Sequence, residues 1–281
     1  MKLLTLIENK RNTKKLYCEH GLSFHIEHGK DKVLIDTGST GKFARNASRL
    51  GADLTKLTAA VISHNHFDHT GGVETLLKLN PGLRIFAKKN IAGRFYIKKL
   101  GVKIPITGLS PVFIEKHRDC FVLFNHFQEI CHGFYLMGCE VFYEKNTVSS
   151  DRFFVKRGNE TQYSPDDFSH ELFAVVFPKP EHKEHGCVVI SSCSHNGIVN
   201  ILETVRQTWN VPILGVVGGF HFMHTGEDDV GFLRHTAKEL SRLSSGCVYT
   251  CHCTGDYAFG KLKEHMGDQL QTLNTGEELT W

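Results

Sequence analysis

Ala59-Ala60-Val61-Ile62-Ser63-His64-Asn65-His66-Phe67-Asp68-His69-Thr70-Gly71-Gly72 is the stretch from which the rest of the chain can be read. Its apolar, β-branched start has the character of a buried strand. The run stops at three histidines and an aspartate within six positions, with a glycine pair behind them. Imidazole nitrogen and carboxylate oxygen are ligands for zinc and related divalent ions, and a tight turn lets alternate residues of so short a segment converge on one point. In this H-x-H-x-D-H spacing His64 and His66 are placed to share one ion, with Asp68 and His69 facing a second position beside it. Four ligand-type residues so spaced are far more specific than any single histidine.

Upstream, residues 1 to 62 read as a β-rich half. Leu22-Ser23-Phe24-His25-Ile26 alternates with period two, His28-Gly29-Lys30-Asp31 is a hairpin turn, and Lys32-Val33-Leu34-Ile35 runs into Asp36-Thr37-Gly38. His25 and His28 are expected at the surface. Asp36 ends a strand, where a carboxylate can bond a metal-bound histidine and fix its tautomer, or simply cap the turn. A helix is expected around Lys42 to Leu50. Behind the histidines, Gly71-Gly72 opens a helix with Val73, Leu76 and Leu77 on one face; Pro81-Gly82 ends it, and Leu83 to Ala87 resumes as a strand.

From Lys88 to about His170 the pattern weakens, and His195, the next ligand candidate, lies 126 positions beyond His69. Between Phe113 and Phe177 lie 11 of the 20 phenylalanines, which calls for a small separate core or an aromatic wall over the site. Lys88, Lys89, Arg94, Lys98, Lys99 and Lys103 form a basic run without an acidic residue. It reads as a solvated helix face or, at Lys88, Lys89 and Arg94, as an anchor for a phosphate-bearing substrate.

The C-terminal half uses one device three times. Cys187-Val188-Val189-Ile190-Ser191 is followed by His195, Pro212-Ile213-Leu214-Gly215-Val216-Val217 by His221, and Cys247-Val248-Tyr249-Thr250 by His252. Each of these strands leads into a helix, with apolar stripes at Ile198, Ile201, Leu202 and Val205 and at Val230, Leu233, Ala237 and Leu240, and a last helix near Tyr257 to Met266. The carboxyl ends of strands in α/β sheets are where ligands collect, so three such histidines argue for one site.

The opening segment resembles the signature of the metallo-β-lactamase superfamily. Leu34-Ile35-Asp36-Thr37-Gly38 looks like that family's Asp-Thr-Gly strand end. Ser192-Cys193-Ser194-His195-Asn196-Gly197-Ile198, Gly218-Gly219-Phe220-His221 and His252-Cys253-Thr254-Gly255 are similar to one branch of it. Members of that branch are often labelled synthases of a dihydropterin-ribofuranosyl-aminobenzene phosphate. The resemblance implies an α/β fold, the four-layer αββα sandwich, over residues 1–281, with an inserted subdomain at approximately 88–170. It implies one or two divalent ions, zinc foremost, with His64, His66 and His195 on one and Asp68, His69 and His252 on the other. The family's usual bridging carboxylate would come from the strand end that here offers His221. That residue is either an altered metal ligand or, together with His224, a substrate-binding or proton-transfer group; Asp68 is the other catalytic candidate.

With 281 residues, 41 % of them hydrophobic, the chain is long enough for a substantial core and near the upper limit of one domain. Thirty-three Lys and Arg against 30 Asp and Glu leave net +3, too little to imply a nucleic-acid or membrane partner. The apolar start is too short for a signal peptide, and no run approaches the roughly 18 residues of a membrane helix, so a cytoplasmic protein is expected. Of nine cysteines, only Cys251 and Cys253, which flank His252, have a spacing that suggests ligands; otherwise they are small apolar residues at a strand end.

The expected function is a metal-dependent hydrolase using activated water on an ester, amide or phosphoryl group of a small molecule, with phosphorylated substrates included. One alternative is a transferase joining a dihydropterin methyl pyrophosphate to a ribofuranosyl-aminobenzene phosphate. The other is a non-enzymatic module whose metal has a closed coordination shell.

Overall fold

The computed structural model describes residues 1–139 and 150–281. Two compact units result, the first made of Met1–His126, Asp151–Leu172 and Asn274–Trp281, the second of Phe127–Ser150 and Phe173–Leu273. In chain order the strands are β1 (Lys2–Ile7), β2 (Ser23–His28), β3 (Asp31–Ile35), β4 (Ala59–Val61), β5 (Ile85–Lys88), β6 (Arg94–Lys99), β7 (Val102–Pro105), β8 (Phe121–Phe124) and β9 (Phe127–Cys131). They continue with β10 (Phe134–Met137), β11 (Phe153–Lys156), β12 (Ser164–Pro165), β13 (Phe173–Val176), β14 (Cys187–Ser191), β15 (Ile213–Gly218), β16 (Ser244–Thr250), β17 (Leu270–Thr272) and β18 (Glu278–Thr280).

Among the described residues, the first unit has a seven-stranded sheet, β18-β1-β2-β3-β4-β5-β8, and a four-stranded sheet, β12-β11-β6-β7. The second has a seven-stranded sheet, β17-β16-β15-β14-β13-β10-β9. Both large sheets follow one plan. Pairing is antiparallel from β18 to β3 and parallel from β3 to β8; likewise it is antiparallel from β9 to β14 and parallel from β14 to β17. The parallel strands carry continuous apolar runs because both of their faces are covered, and every residue of β14 is buried.

The helices are α1 (Lys42–Leu50), α2 (Phe67–Thr70), α3 (Val73–Leu79), α4 (Pro111–Lys116), α5 (Ile198–Trp209), α6 (Val230–Leu243) and α7 (Asp256–Met266). In the first unit Phe43 of α1 and Val73 and Leu76 of α3 pack with Leu34, Ala60 and Ile85 of the sheet. In the second, Ile201, Leu202 and Val205 of α5 and Leu233, Ala237 and Leu240 of α6 pack with Val189, Val216 and Val248.

Register decides where the turns leave the sheets. Ile35 pairs with Val61, so Asp36 and the Ser63-His64 segment emerge at one level. In the second unit Ser191 pairs with Gly218 and Gly218 with Thr250, so the three histidine-bearing turns also emerge level with one another.

Two expectations are corrected. His25 and His28 are buried, because β2 runs between β1 and β3 in the sheet interior; burial pushes the His25 imidazole down, and Glu27 opposes this only in part. The basic run 88–103 is not a helix face. Phe95 and Ile97 are buried alternately along β6, a period-two pattern, and Leu100-Gly101, both left-handed at φ 49° and 82°, close the hairpin to β7. Residues 88–170 divide between the units: β6 and β7 pair with β11 and β12 in the first, while β9 and β10 extend the second unit's sheet. Phe142 and the rest of 140–149 lie outside the described residues. Elsewhere in the aromatic-rich stretch, Phe153 and Phe168 join Ile97 in a small core of the first unit.

A buried charge joins α5 to α6. Glu203 of α5 accepts from Arg206 Nε at 2.9 Å and from Arg242 of α6. Burial pushes this carboxyl up, but the two guanidinium groups outweigh it and hold it below its ordinary range. A carboxyl depressed by folding contributes stability in full above its unfolded pKa, about 4.3, and loses it as pH falls through the folded value. Glu203→Gln should therefore cost about 1–3 kcal/mol at pH 7 and progressively less below about pH 4, read by urea unfolding at several pH values. An equal cost across that range would mean that packing, and not charge, makes the contribution.

Candidate metal centre

Asp36 is completely buried and takes a left-handed backbone, φ 57°, just past β3. Its Oδ1 accepts the Ser63 N–H at 2.8 Å and its Oδ2 accepts the Ser63 hydroxyl at 2.6 Å. Oδ2 also lies 2.7 Å from His69 Nδ1, which donates to it. Because the Ser63 hydroxyl spends its only hydrogen on Asp36, it accepts from His64 Nδ1 at 2.9 Å. Both imidazoles are thereby fixed with the proton on Nδ1 and the lone pair on Nε2, the arrangement that carboxylate support gives metal-binding histidines. The bonding network, not an observed hydrogen, assigns these tautomers.

The segment between the ligands is held as firmly. Asn65 donates through Nδ2 to the carbonyls of Ile91 and Leu109, each at 2.8 Å, and accepts the Leu109 N–H at 2.7 Å. His66 is still extended, and the helical turn α2 begins after it, which places Asp68 and His69 inside a helix and not in the loop between strand and helix. The His69 carbonyl takes both the N–H of Thr37, at 2.7 Å, and its hydroxyl, at 3.0 Å.

Within the first unit the His64 ring centroid lies 4.5 Å from that of His66 and 4.2 Å from that of His69. Burial pushes the His66 imidazole down to about 3; the charge of His170 adds to this, and Asp68 and Asp166 oppose it. His66 is therefore neutral at physiological pH and keeps a lone pair for a cation. Burial also works against protonated His69, but the carboxylates of Asp68 and Asp36 outweigh it and the net direction is up. Three close imidazoles with a carboxylate beside them fit a divalent ion with mixed nitrogen and oxygen ligands.

The second unit presents its histidines on three cross-linked turns. Ser194, His221 and His252 are left-handed, at φ 55°, 55° and 51°. Gly219 N–H donates to the Ser192 carbonyl at 3.0 Å, and the Ser194 hydroxyl donates to the Gly219 carbonyl at 2.8 Å. Phe220 N–H donates to Thr254 Oγ1 at 3.0 Å, and Met223 N–H to the Cys253 carbonyl at 3.0 Å. Close approach demands glycine at 218: its φ is 140°, and a Cβ there would stand 1.7 Å from the Ser191 carbonyl oxygen. The His195 and His221 rings are 4.2 Å apart. His195, His221 and His252 are buried and His224 is exposed.

Several groups lie beside the expected ligands without any local sequence signal. His20, about half exposed, brings Nε2 within 3.2 Å of Asp68 Oδ2. His170 accepts the Asn65 N–H at Nδ1, 3.3 Å, and so donates from Nε2 to Asp166 at 3.2 Å. Phe153 stacks on His66 at 5.7 Å. The proposed phosphate anchors are differently disposed: Lys88 is buried and donates to the Asn125 carbonyl, Arg94 donates to the carbonyls of Gly158 and Glu160, and Lys89 is exposed. A cleft of about 820 Å³ in the first unit is lined by Arg11, Lys14, Lys15, Tyr17 and Arg49 among others, and shares no lining residue with the metal candidates.

A family model described as the metallo-beta-lactamase superfamily matches residues 16–133. Over its whole length the chain also superposes on the crystal structure of a metal-dependent hydrolase of the β-lactamase superfamily, with a TM-score of 0.83, 29 % identity and coverage of 100 % of this chain and 99 % of that one. The chain has the metallo-β-lactamase fold and resembles that superfamily. It is similar to the 7,8-dihydropterin-6-methyl-4-(beta-D-ribofuranosyl)-aminobenzene-5'-phosphate synthase of Methanocaldococcus jannaschii, 26 % identical over 99 % of this chain and 95 % of the relative. The metallo-β-lactamase fold protein YhfI of Bacillus subtilis shares the fold at a TM-score of 0.59 and 12 % identity, with 99 % and 98 % of the two chains covered. Among the described residues, no helix is long and apolar enough to cross a membrane.

Asp36→Asn keeps the size of the side chain but replaces one acceptor oxygen with a donor, so Ser63 and His69 cannot both be satisfied. Zinc affinity should fall about 10–100-fold, measured by competition with a chromophoric chelator, with cooperative unfolding retained. Unchanged affinity would mean that the imidazoles are oriented by packing alone.

Proposed function

We propose that the protein is a metal-dependent hydrolase of small molecules carrying an ester, amide or phosphoryl group, with zinc as its metal. Within the first unit the proposed ligands are His64, His66, Asp68 and His69; within the second they are His195, His221 and His252. The reading rests above all on the Asp36-Ser63-His64 and Asp36-His69 bonds, because they fix two imidazoles in the tautomer a metal requires. It is supported by similarity to a structure described as a metal-dependent hydrolase. A divalent ion at such ligands supplies Lewis acidity, which polarises the substrate and brings the pKa of a water toward neutrality.

The chain's own part is to orient and to move a proton. Asp68 Oδ2 receives the proton of the attacking water, and His20 Nε2, 3.2 Å away and open to solvent, passes it out. His66 remains a neutral nitrogen donor throughout.

A second reading is favoured by the similarity to the synthase along nearly the whole chain. There the substrates would be a dihydropterin methyl pyrophosphate and a ribofuranosyl-aminobenzene phosphate, the new bond would form at the methylene carbon, and pyrophosphate would leave. Water would have to be kept from the same carbon. Of Lys88, Lys89 and Arg94, Lys89 is the exposed residue able to meet a phosphate.

The zinc-loaded protein should be assayed against phosphodiester, phosphomonoester, carboxylic ester and lactone substrates, and separately against the pterin pyrophosphate with and without its acceptor. Hydrolysis that chelator abolishes supports the first reading; product formed only with the acceptor supports the second. Metal uptake with neither reaction would leave a non-catalytic metal protein. His66→Ala should lose one metal equivalent and lower turnover at least about 100-fold, and full metal content in that variant would sink the ligand assignment. His20→Gln should keep its metal yet lower kcat by about 10-fold, the effect expected of a proton carrier and not of a ligand.

A further inference from the structure

Cys193 Sγ belongs to two groups of potential ligands within the second unit. It is grouped with His195 and His221, and again with His252 and Cys253; in each group the ligand atoms lie within 4.8 Å of one another. The thiol is buried, 3 % exposed, as is that of Cys253, 2 % exposed. Their sulfurs are 3.4 Å apart, far beyond a disulfide bond of about 2.05 Å. At that distance the Cys253 thiol can donate its hydrogen to the Cys193 sulfur.

We propose that Cys193 is a metal ligand whose thiolate is shared between two neighbouring cations. The inference rests on the metal-dependent reading above and adds to it the identity of the bridging group. Two cations held close together repel, and a shared anionic ligand lowers that cost. His221 occupies the strand end at which the resemblance implies a carboxylate, and an imidazole brings no negative charge. Cys193 brings one negative charge, because a thiol that binds a cation releases its proton. Its place in both groups is what a shared ligand requires. Cys253, whose thiol donates to Cys193 at 3.4 Å, supports that sulfur from the turn that carries His252.

Cobalt(II) is the probe, because a sulfur-to-cobalt charge-transfer band in the near ultraviolet reports thiolate ligation without reference to activity. The wild-type protein loaded with cobalt should bind two equivalents and display the band. Cys193→Ser and Cys193→Ala should lose the band and weaken the second equivalent about 10–100-fold. Cys193→Asp should recover two equivalents without the band, since a carboxylate restores the charge but not the sulfur. Cys253→Ser should keep the band.

Cobalt uptake by the wild-type protein without a charge-transfer band would overturn the assignment while leaving the metal-dependent reading intact. A band and stoichiometry unchanged in Cys193→Ala would do the same. A wild-type protein that binds no divalent cation would overturn both. Absence of the band from the wild-type spectrum would decide without any variant having to fold.

Discussion

A carboxylate with no exposed surface governs the first unit. A carboxylate removed from water costs several kcal/mol if left unsolvated, and at Asp36 three donors replace the lost hydration: the Ser63 amide, the Ser63 hydroxyl and His69 Nδ1. Each of these donors belongs to the segment that carries the ligands. The charge can therefore be buried only if β3, β4 and α2 are in register, and the segment is in register only if the imidazoles are turned with Nδ1 toward the carboxylate. Fold and ligand geometry are satisfied together by one group.

The second unit reaches a similar end by different means. Left-handed backbone at a residue other than glycine costs about 1–2 kcal/mol, and here it falls on Ser194, His221 and His252, as on Asp36 in the first unit. Hydrogen bonds from one turn to the next offset it: Thr250 Oγ1 donates to the Gly218 carbonyl at 3.1 Å, and Thr254 accepts from Phe220. Strain placed repeatedly where strands end and histidines begin is the pattern of a backbone shaped for a site. No single turn could relax without breaking a bond to its neighbour.

The legible parts of the chain were those in which the physics is local. Continuous apolar runs announced β14 and β15, the 3.6-residue stripe announced α5 and α6, and four ligand-type residues in six positions marked the candidate site. What could not be read depends on contacts far apart in sequence. His170 reaches Asn65 across 105 positions and His20 reaches Asp68 across 48, so neither leaves a spacing signature. His25 looked exposed because β2 alternates, yet an interior strand is covered on both faces. The basic run misled in the opposite direction: charge suggested a solvated helix, whereas Phe95 and Ile97 already carried the period of a strand. The shared pairing plan of the two large sheets has no counterpart as a repeat in the sequence, since pairing type depends on connection length and not on residue identity.

The ligand chemistry also bears on which cation the protein prefers. The proposed donors are imidazoles, the carboxylate of Asp68 and, in the second unit, the thiolate of Cys193. Magnesium and calcium favour oxygen ligands and keep much of their hydration, while imidazole and thiolate suit zinc and its softer neighbours. A shared carboxylate would leave the site open to hard and borderline ions alike. With sulfur in the shared position, two borderline ions can sit together without that carboxylate, and a hard ion offered the same ligands would give up water for a poorer donor. If His221 stands where the resemblance implies a shared carboxylate, one strand end lacks that negative charge, and on the proposal above the thiol two positions before His195 returns it. The metal preference of this protein would then depend on a cysteine outside the H-x-H-x-D-H motif.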